Sequence, residues 1–316
     1  MLKHVDLFAG TGAFTLACQG YYETVFANDC SKHAEKLYRL NYSTPFILGK
    51  LEDLPLESYK ALTGEVDLLT AGFPCQPFSL AGNRQGFSDR RTDVVWTLLS
   101  FIKEVKPRVV LIENVKNLLT IEQGQAFQRV NSALEEQGYS TVHKVLNSTS
   151  FGLPHNRERL FIFAFLEEKQ ASQYQFPKGK EDPPPLSIFL EDFAPDAYYY
   201  SSRYKVWEII KEGVVKPIST NTLYQLRRHY IRENKSGVCP TLTANMGTGG
   251  HNVPLLLDSK GIRKLTPREC FNLQGFPKEF ALEGIADSAL YHLSGNAVSV
   301  PVVRALIAEV ARVQQL

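Results

Sequence analysis

Short apolar runs alternate with amphipathic stretches from the start of the chain to about residue 166. The runs Val5 to Ala9, Thr24 to Ala27, Val66 to Ala71, Val109 to Ile112 and Leu160 to Leu166 read as strands, and helical periodicity fills the intervals. Val109-Val110-Leu111-Ile112 has no polar position, as expected of a strand covered on both faces. The pattern predicts an α/β fold with a doubly wound, mostly parallel, Rossmann-like sheet. The rhythm stops after Leu166: Glu167 to Asp182 is polar, Pro183-Pro184-Pro185 stiffens the connection, and no βα alternation follows. Helical spacing returns at Val300, Val303, Leu306, Ile307, Val310 and Val313, which line one face of a terminal helix.

Two domains follow from this pattern, and 316 residues suffice for both. A larger one is expected over residues 1–181, completed by 296–316, and a smaller one over 182–267, with 268–295 as the hinge that returns the chain. With 44% hydrophobic and 22% charged residues, the composition excludes a disordered chain or a fibre. No apolar run reaches the ~18 residues that span a bilayer. The start, Met1-Leu2-Lys3-His4-Val5-Asp6, lacks the apolar stretch of a signal peptide, so a cytoplasmic protein without a membrane partner is expected. Cys18, Cys30, Cys75, Cys239 and Cys270 are odd in number and widely spaced, which argues for free thiols and against a structural metal. The net charge of +2 hides a segregation: Arg203 to Lys235 carries eight Lys or Arg against three Glu. Such a patch suits a polyanion, although a solvated helix face gives the same count.

Two segments carry candidate chemistry. Asp6-Leu7-Phe8-Ala9-Gly10-Thr11-Gly12 closes the first strand, and Asp29 follows the second. Glycines there let backbone approach a ligand, and an acidic side chain after the second strand can bind ribose hydroxyls. The third glycine of a dinucleotide fingerprint is missing, and a plain tight turn also fits. Gly72-Phe73-Pro74-Cys75-Gln76-Pro77-Phe78-Ser79 presents a cysteine on a proline-stiffened loop directly after the strand Val66 to Ala71. A thiolate at a sheet's carboxyl end is placed as a soft nucleophile, whereas most free cysteines are small buried hydrophobes.

These segments are followed in order by Glu113-Asn114-Val115, Arg157-Glu158-Arg159, Arg263-Lys264-Leu265-Thr266-Pro267-Arg268-Glu269 and Gly295-Asn296-Ala297-Val298. In that set and order the chain resembles the cytosine-C5 DNA methyltransferases of bacterial restriction-modification systems. The resemblance spans most of the chain, except from about Gln170 to Gly261, which corresponds to the family's variable target-recognition region. It implies methyl transfer from S-adenosylmethionine, leaving S-adenosylhomocysteine, to C5 of a cytosine flipped out of double-stranded DNA. Cys75 matches the thiolate that adds to C6 of the base, Glu113 the acid at N3, and Arg157 and Arg159 the groups that hold O2 and neighbouring anions. Phe8, Gly10, Gly12 and Phe14 fall on the methionine side of the cofactor, Asp29 on the ribose, Cys30 and Leu51 beside the adenine, and Asn296 near the methyl donor. The chain departs from the family at three places. Lys50 stands where an acidic adenine contact is common, Cys30 where a bulky residue packs on the adenine, and His155 where a glutamine precedes the paired arginines.

For DNA, Arg227 and Arg228 suit the backbone, while Thr241, Thr243, Asn245, Gly249 and His251 suit direct readout around a glycine loop. Ser79 to Asp93, with Ser79, Arg84, Arg90 and Arg91, reads as a lid that closes over a flipped base. The resemblance further implies a monomer, associated with the nucleoid, and a cognate endonuclease that acts on the same site without forming a complex. A transfer RNA cytosine-C5 methyltransferase and a catalytically silent DNA-binding subunit of the same fold are the alternatives. A nicotinamide-dependent oxidoreductase, suggested by the first turn alone, does not account for the cysteine loop.

Overall fold

The computed structural model of the chain describes residues 1–74, 93–179, 182–234, 237–247 and 253–315. Its contacts divide into two compact units, one of Met1–Leu146, Glu158–Pro177 and Val302–Leu316, the other of Asn147–Arg157 and Lys178–Pro301.

The first unit is built on strands β1 (Leu2–Leu7), β2 (Tyr22–Asp29), β3 (Phe46–Leu48), β4 (Leu68–Ala71), β5 (Val109–Val115), β6 (Ser140–Asn147) and β7 (Glu158–Phe165). They form one sheet in the order β3-β2-β1-β4-β5-β7-β6. Neighbours from β3 to β5 are parallel, and β7 runs antiparallel to β5. The mostly parallel sheet expected from the apolar runs is present. Two strands escaped the pattern for a physical reason: β3 has three residues, and β6, at the other edge, is largely half-buried or exposed. Neither produces a continuous apolar run.

Among the described residues, these strands are accompanied by α1 (Ala13–Cys18), α2 (Lys32–Asn41), α3 (Asp93–Val105), α4 (Gln125–Glu136) and α5 (Glu168–Gln173), with a further helix from the end of the chain. Alternate residues of the central strands, Val5 and Leu7, Leu69 and Ala71, Val110 and Ile112, share a core with Leu98, Leu99 and Ile102 of α3 and Phe127, Val130 and Leu134 of α4. Each such side chain contributes roughly 1.5–3 kcal/mol by leaving water. The period of two in the strands and of three to four in the helices is what brings these positions to one layer.

β1 also buries polar groups. His4 contacts Thr24 Oγ1 through Nδ1 and Thr70 Oγ1 through Nε2, both at 2.8 Å, and Thr70 donates to Asp6 at 3.1 Å. Burial lowers the His4 pKa from 6.5 to about 3. Between those values the unfolded chain holds the extra proton, so the His4 contribution to stability falls as the pH drops from about 6.5 to about 3. Burial pushes Asp6 up to about 7, giving the opposite slope above its ordinary range. Comparison with a His4→Gln protein cancels that second slope. The unfolding free energy of the wild type minus that of His4→Gln should rise by roughly 3–5 kcal/mol across the His4 window and then level off, read by urea unfolding at a series of pH values.

The second unit contains α6 (Trp207–Gly213), β8 (Leu223–Leu226), β9 (Ile231–Asn234), β10 (Leu255–Leu257), β11 (Ile262–Lys264), α7 (Pro267–Leu273) and α8 (Asp287–Asn296). Its sheet has the order β11-β10-β8-β9 with antiparallel neighbours throughout. Ile210 and Val214, in and just after α6, pack with Tyr224, Leu226, Leu255 and Ile262 from the strands. α9 (Val300–Gln314) ends the chain, and in the first unit Arg304 donates to the carbonyl of Leu16 at 2.9 Å while Gln314 donates to that of Asp67 at 2.9 Å.

The segment from Arg263 to Glu269 acts structurally. Arg263 is 2% exposed and donates to both carboxylate oxygens of the fully buried Glu269, at 2.8 and 2.7 Å, and through Nε to Asp258 at 2.7 Å. Glu269 also accepts from the backbone of Thr266, whose hydroxyl accepts from Glu269 N, so the pair forms a capping box at the start of α7 with Pro267 in its first turn. Glu191 N donates to the same carboxylate at 3.0 Å.

Candidate active site

The strand order places the site. After β3 the chain returns across β1 to form β4, so the sheet changes direction of growth between β1 and β4, and ligands of open α/β sheets bind outside the carboxyl ends at such a point. Leu7 pairs with Ala71 and Ala71 with Ile112, which sets the turn after β1, the start of the cysteine loop and Glu113 side by side.

The turn after β1 is compact. Phe8, Gly10 and Gly12 all have positive φ, at 55°, 53° and 73°. At Gly12 an added Cβ would meet the Tyr42 ring at 2.4 Å, so no side chain fits. At Gly10 the nearest atom to such a Cβ is the Phe8 carbonyl oxygen at 3.8 Å, so a side chain there would occupy space that the turn leaves open to a ligand. Asp29 closes the turn from β2: Oδ2 accepts from Gly10 N at 2.9 Å and Oδ1 from Ser31 N at 2.8 Å. Asp6 braces it from below by accepting from the amide and hydroxyl of Thr15 at 3.2 and 2.8 Å. Asn28 donates to the carbonyls of Ile47 and Gly49, tying the ends of β2 and β3, and Leu51 just beyond is buried. Lys50 is exposed and pairs with Glu52 at 3.7 Å. Cys30 is exposed at its surface position, and its thiol is raised by partial desolvation and by Asp29.

Glu113 sits at the carboxyl end of β5 with 8% exposure. In the β5–β7 register Glu113 faces Phe161 and Val115 faces Arg159, so Arg159 is the diagonal neighbour of Glu113 on the same face. Its Nε lies 3.0 Å from Glu113 Oε1. That contact is an ion pair by distance, but no donor among the described residues aims a hydrogen at Oε1, which keeps acceptor capacity although it is buried. A buried carboxylate oxygen in this state can accept a hydrogen bond from a water or a ligand. Gly72 lies between this carboxylate and Phe14: a Cβ at Gly72 would be 3.6 Å from Glu113 Oε2 and 3.6 Å from the Phe14 ring. Asn114 donates to the carbonyl of Phe73 at 3.2 Å and so pins the strand's exit into the cysteine loop. Asn114 and Asp6 stand inside sequence motifs that do not reveal these tasks, because the partners, Phe73 in the loop after β4 and Thr15 in α1, lie on other elements.

Arg157 and Arg159, two apart in sequence, go to different units. Arg157 is 2% exposed and donates to the carbonyl of Leu242 at 3.0 Å. Its stretch is zipped to residues 239–242: Cys239 N donates to Pro154 O, Asn156 N to Cys239 O, Thr241 Oγ1 to Asn156 O, and Leu242 N to Nε2 of His155 at 3.1 Å. His155 thus acts as an acceptor for backbone. Thr241, Thr243 and Asn245 are exposed, with Thr243 Oγ1 donating to Asn245 Oδ1 at 2.6 Å. Arg227 and Arg228 occupy the exposed turn between β8 and β9. Asn296 is exposed at the end of α8. Cys75, Ser79, Arg84, Arg90, Arg91, Gly249 and His251 lie outside the described residues.

The family model described as C-5 cytosine-specific DNA methylase matches residues 2–312. The Type II methyltransferase M.Bsp6I of Bacillus sp. is 42% identical over 315 residues, covering 96% of each chain. M.HaeII of Haemophilus aegyptius, also a Type II methyltransferase, is 36% identical over 310 residues, covering 96% of this chain and 91% of its own. Among solved structures, the Dnmt2 methyltransferase of S. pombe has a TM-score of 0.76 at 20% identity over the whole of both chains, a likeness of fold.

Proposed function

This chain belongs to the C-5 cytosine-specific DNA methylase family, and from that premise we propose that it methylates a cytosine flipped out of a short specific site in duplex DNA, through a covalent bond between Cys75 and C6. The observation that carries this reading is Glu113, a buried carboxylate ion-paired with Arg159 that keeps acceptor capacity on Oε1 and is adjacent to the loop that leads into Cys75. Cytosine C5 is a poor nucleophile. Addition of the Cys75 thiolate to C6 moves electron density into the ring, and a proton donated by Glu113 at N3 relieves the charge, leaving C5 enamine-like and nucleophilic. S-adenosylmethionine supplies, when bound, a methyl group activated by its sulfonium. Once C5 carries the methyl group, its proton passes to solvent as the C6–S bond breaks and the thiolate leaves, and N3 gives its proton back to Glu113, which restores the ring. Arg159 holds Glu113 in place and offers further guanidinium hydrogens to O2. Arg157 contributes by anchoring the 239–242 segment through Leu242.

The turn after β1 suits the cofactor, because Gly10 leaves space beside a fixed carboxylate. Phe8, Gly10, Gly12, Phe14, Asp29, Cys30, Leu51 and Asn296 are assigned to holding it. Residues 1–181, completed by 296–316, carry cofactor and chemistry. Residues 182–267 carry target recognition, with Arg227 and Arg228 toward phosphates and Thr241, Thr243, Asn245, Gly249 and His251 toward base edges, and 268–295 returns the chain. Ser79, Arg84, Arg90 and Arg91 serve the closing segment. The protein works in the bacterial cytoplasm as a monomer, as the modification partner of a Type II endonuclease that reads the same site.

The test is transfer of labelled methyl from S-adenosylmethionine to duplex DNA of mixed sequence, with transfer RNA in parallel and base-resolution mapping of the product. Label at C5 of one cytosine in one short motif supports the reading, and label in transfer RNA alone overturns the substrate. Glu113→Gln should lower the single-turnover methylation rate by roughly 10²–10⁴ with DNA affinity retained. A rate within about threefold of wild type, which is less than 1 kcal/mol of barrier, would remove Glu113 from the chemistry.

A further inference from the structure

Asn296 is held by a short relay that ends on backbone. Its amide nitrogen lies 3.1 Å from Nε2 of His292, one turn earlier in α8, and Nδ1 of that imidazole lies 2.8 Å from the carbonyl oxygen of Ala244. A carbonyl only accepts, so Nδ1 carries the proton and Nε2 offers its lone pair to the Asn296 amide. Ala244 thereby sets the polarity of the whole relay. The amide nitrogen turns toward His292, and Oδ1 turns away from it. Gly295 permits the approach: a Cβ there would come within 2.2 Å of the carbonyl carbon and oxygen of Thr243 and 2.6 Å of Ala244 N. The end of α8 and the 243–244 backbone are therefore in direct contact within the second unit.

We propose that His292 is a positioning residue for cofactor binding: it fixes the orientation of the Asn296 amide against the Ala244 carbonyl, so that Oδ1 is presented to S-adenosylmethionine as an acceptor. The two ends of a side-chain amide are nearly identical in shape and opposite in polarity. Packing alone does not choose between them, and a directional partner does. An imidazole whose proton is held on Nδ1 by a backbone carbonyl is such a partner. The inference rests on the assignment of Asn296 to the cofactor.

The experiment measures the Kd for S-adenosylmethionine by calorimetry on the full chain as wild type, His292→Gln, His292→Leu, Asn296→Ala and the double variant His292→Leu/Asn296→Ala. Glutamine keeps one donor for Ala244 and one acceptor for Asn296, whereas leucine keeps neither. His292→Leu is expected to weaken binding ~3- to 10-fold, the worth of one directional hydrogen bond, while His292→Gln stays within about twofold of wild type. Asn296→Ala weakens binding at least as much as His292→Leu, and adding His292→Leu to it changes nothing further, because both act through one amide. Equal loss from His292→Leu in both backgrounds, or no loss in a wild-type background where Asn296→Ala does weaken binding, overturns the positioning role. Wild-type affinity in Asn296→Ala overturns the assignment of Asn296 itself, and this inference with it.

Discussion

Cys75→Ser protein is expected to label no DNA above background, even in assays long enough for thousands of wild-type turnovers, while still binding duplex. The step at issue is addition to an electron-poor double bond, which needs an anionic, polarisable nucleophile. A cysteine thiol ionises near pH 8.5 and furnishes a useful fraction of thiolate at neutral pH, and it is intrinsically the stronger nucleophile. A serine hydroxyl in the same place stays protonated unless a base takes its proton, and Glu113 is assigned to N3 of the base. A duplex in which the target cytosine carries fluorine at C5 sharpens the test. Elimination needs a proton at C5, so the wild type should remain bound to such a duplex after denaturation and Cys75→Ser should not. Serine-containing protein that methylates at a tenth of the wild-type rate would sink the covalent route.

The largest expected loss of stability comes from a residue remote from this chemistry. Arg263→Met should destabilise the second unit by about 3–5 kcal/mol, seen as a lower urea midpoint. Arg263 satisfies a fully buried carboxylate, Glu269, with two hydrogen bonds and reaches Asp258 with a third. Hydrogen bonds to both acids outweigh desolvation and raise the guanidinium above its ordinary range. Removing the arginine leaves the buried Glu269 carboxylate without its partner. Adding Glu269→Leu to Arg263→Met should recover part of the loss, because the stranded charge disappears, although the cap on α7 goes with it. If the double variant is less stable than the sum of the two singles, the buried pair is not what Arg263 serves.

The central strands were legible because each is a continuous apolar run, and the cysteine loop because two prolines frame one cysteine directly after such a run. Short or edge strands were not: β3 is three residues long, and β6 carries polar residues on both faces. The sequence after Leu166 shows no βα alternation, and the second unit's sheet of three- and four-residue strands leaves no periodicity to find. The site divides in the same way. Glu113, Asp29 and the glycine turn are visible as residue types at strand ends. What fixes them is not visible, since the Asn114 bond to Phe73, the His292 bond to Ala244 and the Leu242 bonds to Arg157 and His155 join positions 41 to 87 residues apart. Arg157 and Arg159 look like one motif in sequence, and the start of β7 at Glu158 separates their surroundings.

The first unit is assembled from three stretches of chain, and the last of them, from Val302 onward, follows residues 178–301 of the other unit. On a ribosome adding about 5–20 residues per second, the sheet therefore waits roughly 6 to 25 seconds after Pro177 emerges before α9 can dock. During that interval nothing occupies the place of Val303, Leu306, Ile307 and Val310, all fully buried in the finished protein. Nor are the carbonyls of Leu16 and Asp67 yet met by Arg304 and Gln314. The nascent chain thus carries an uncovered apolar face for many times longer than a helix needs to form.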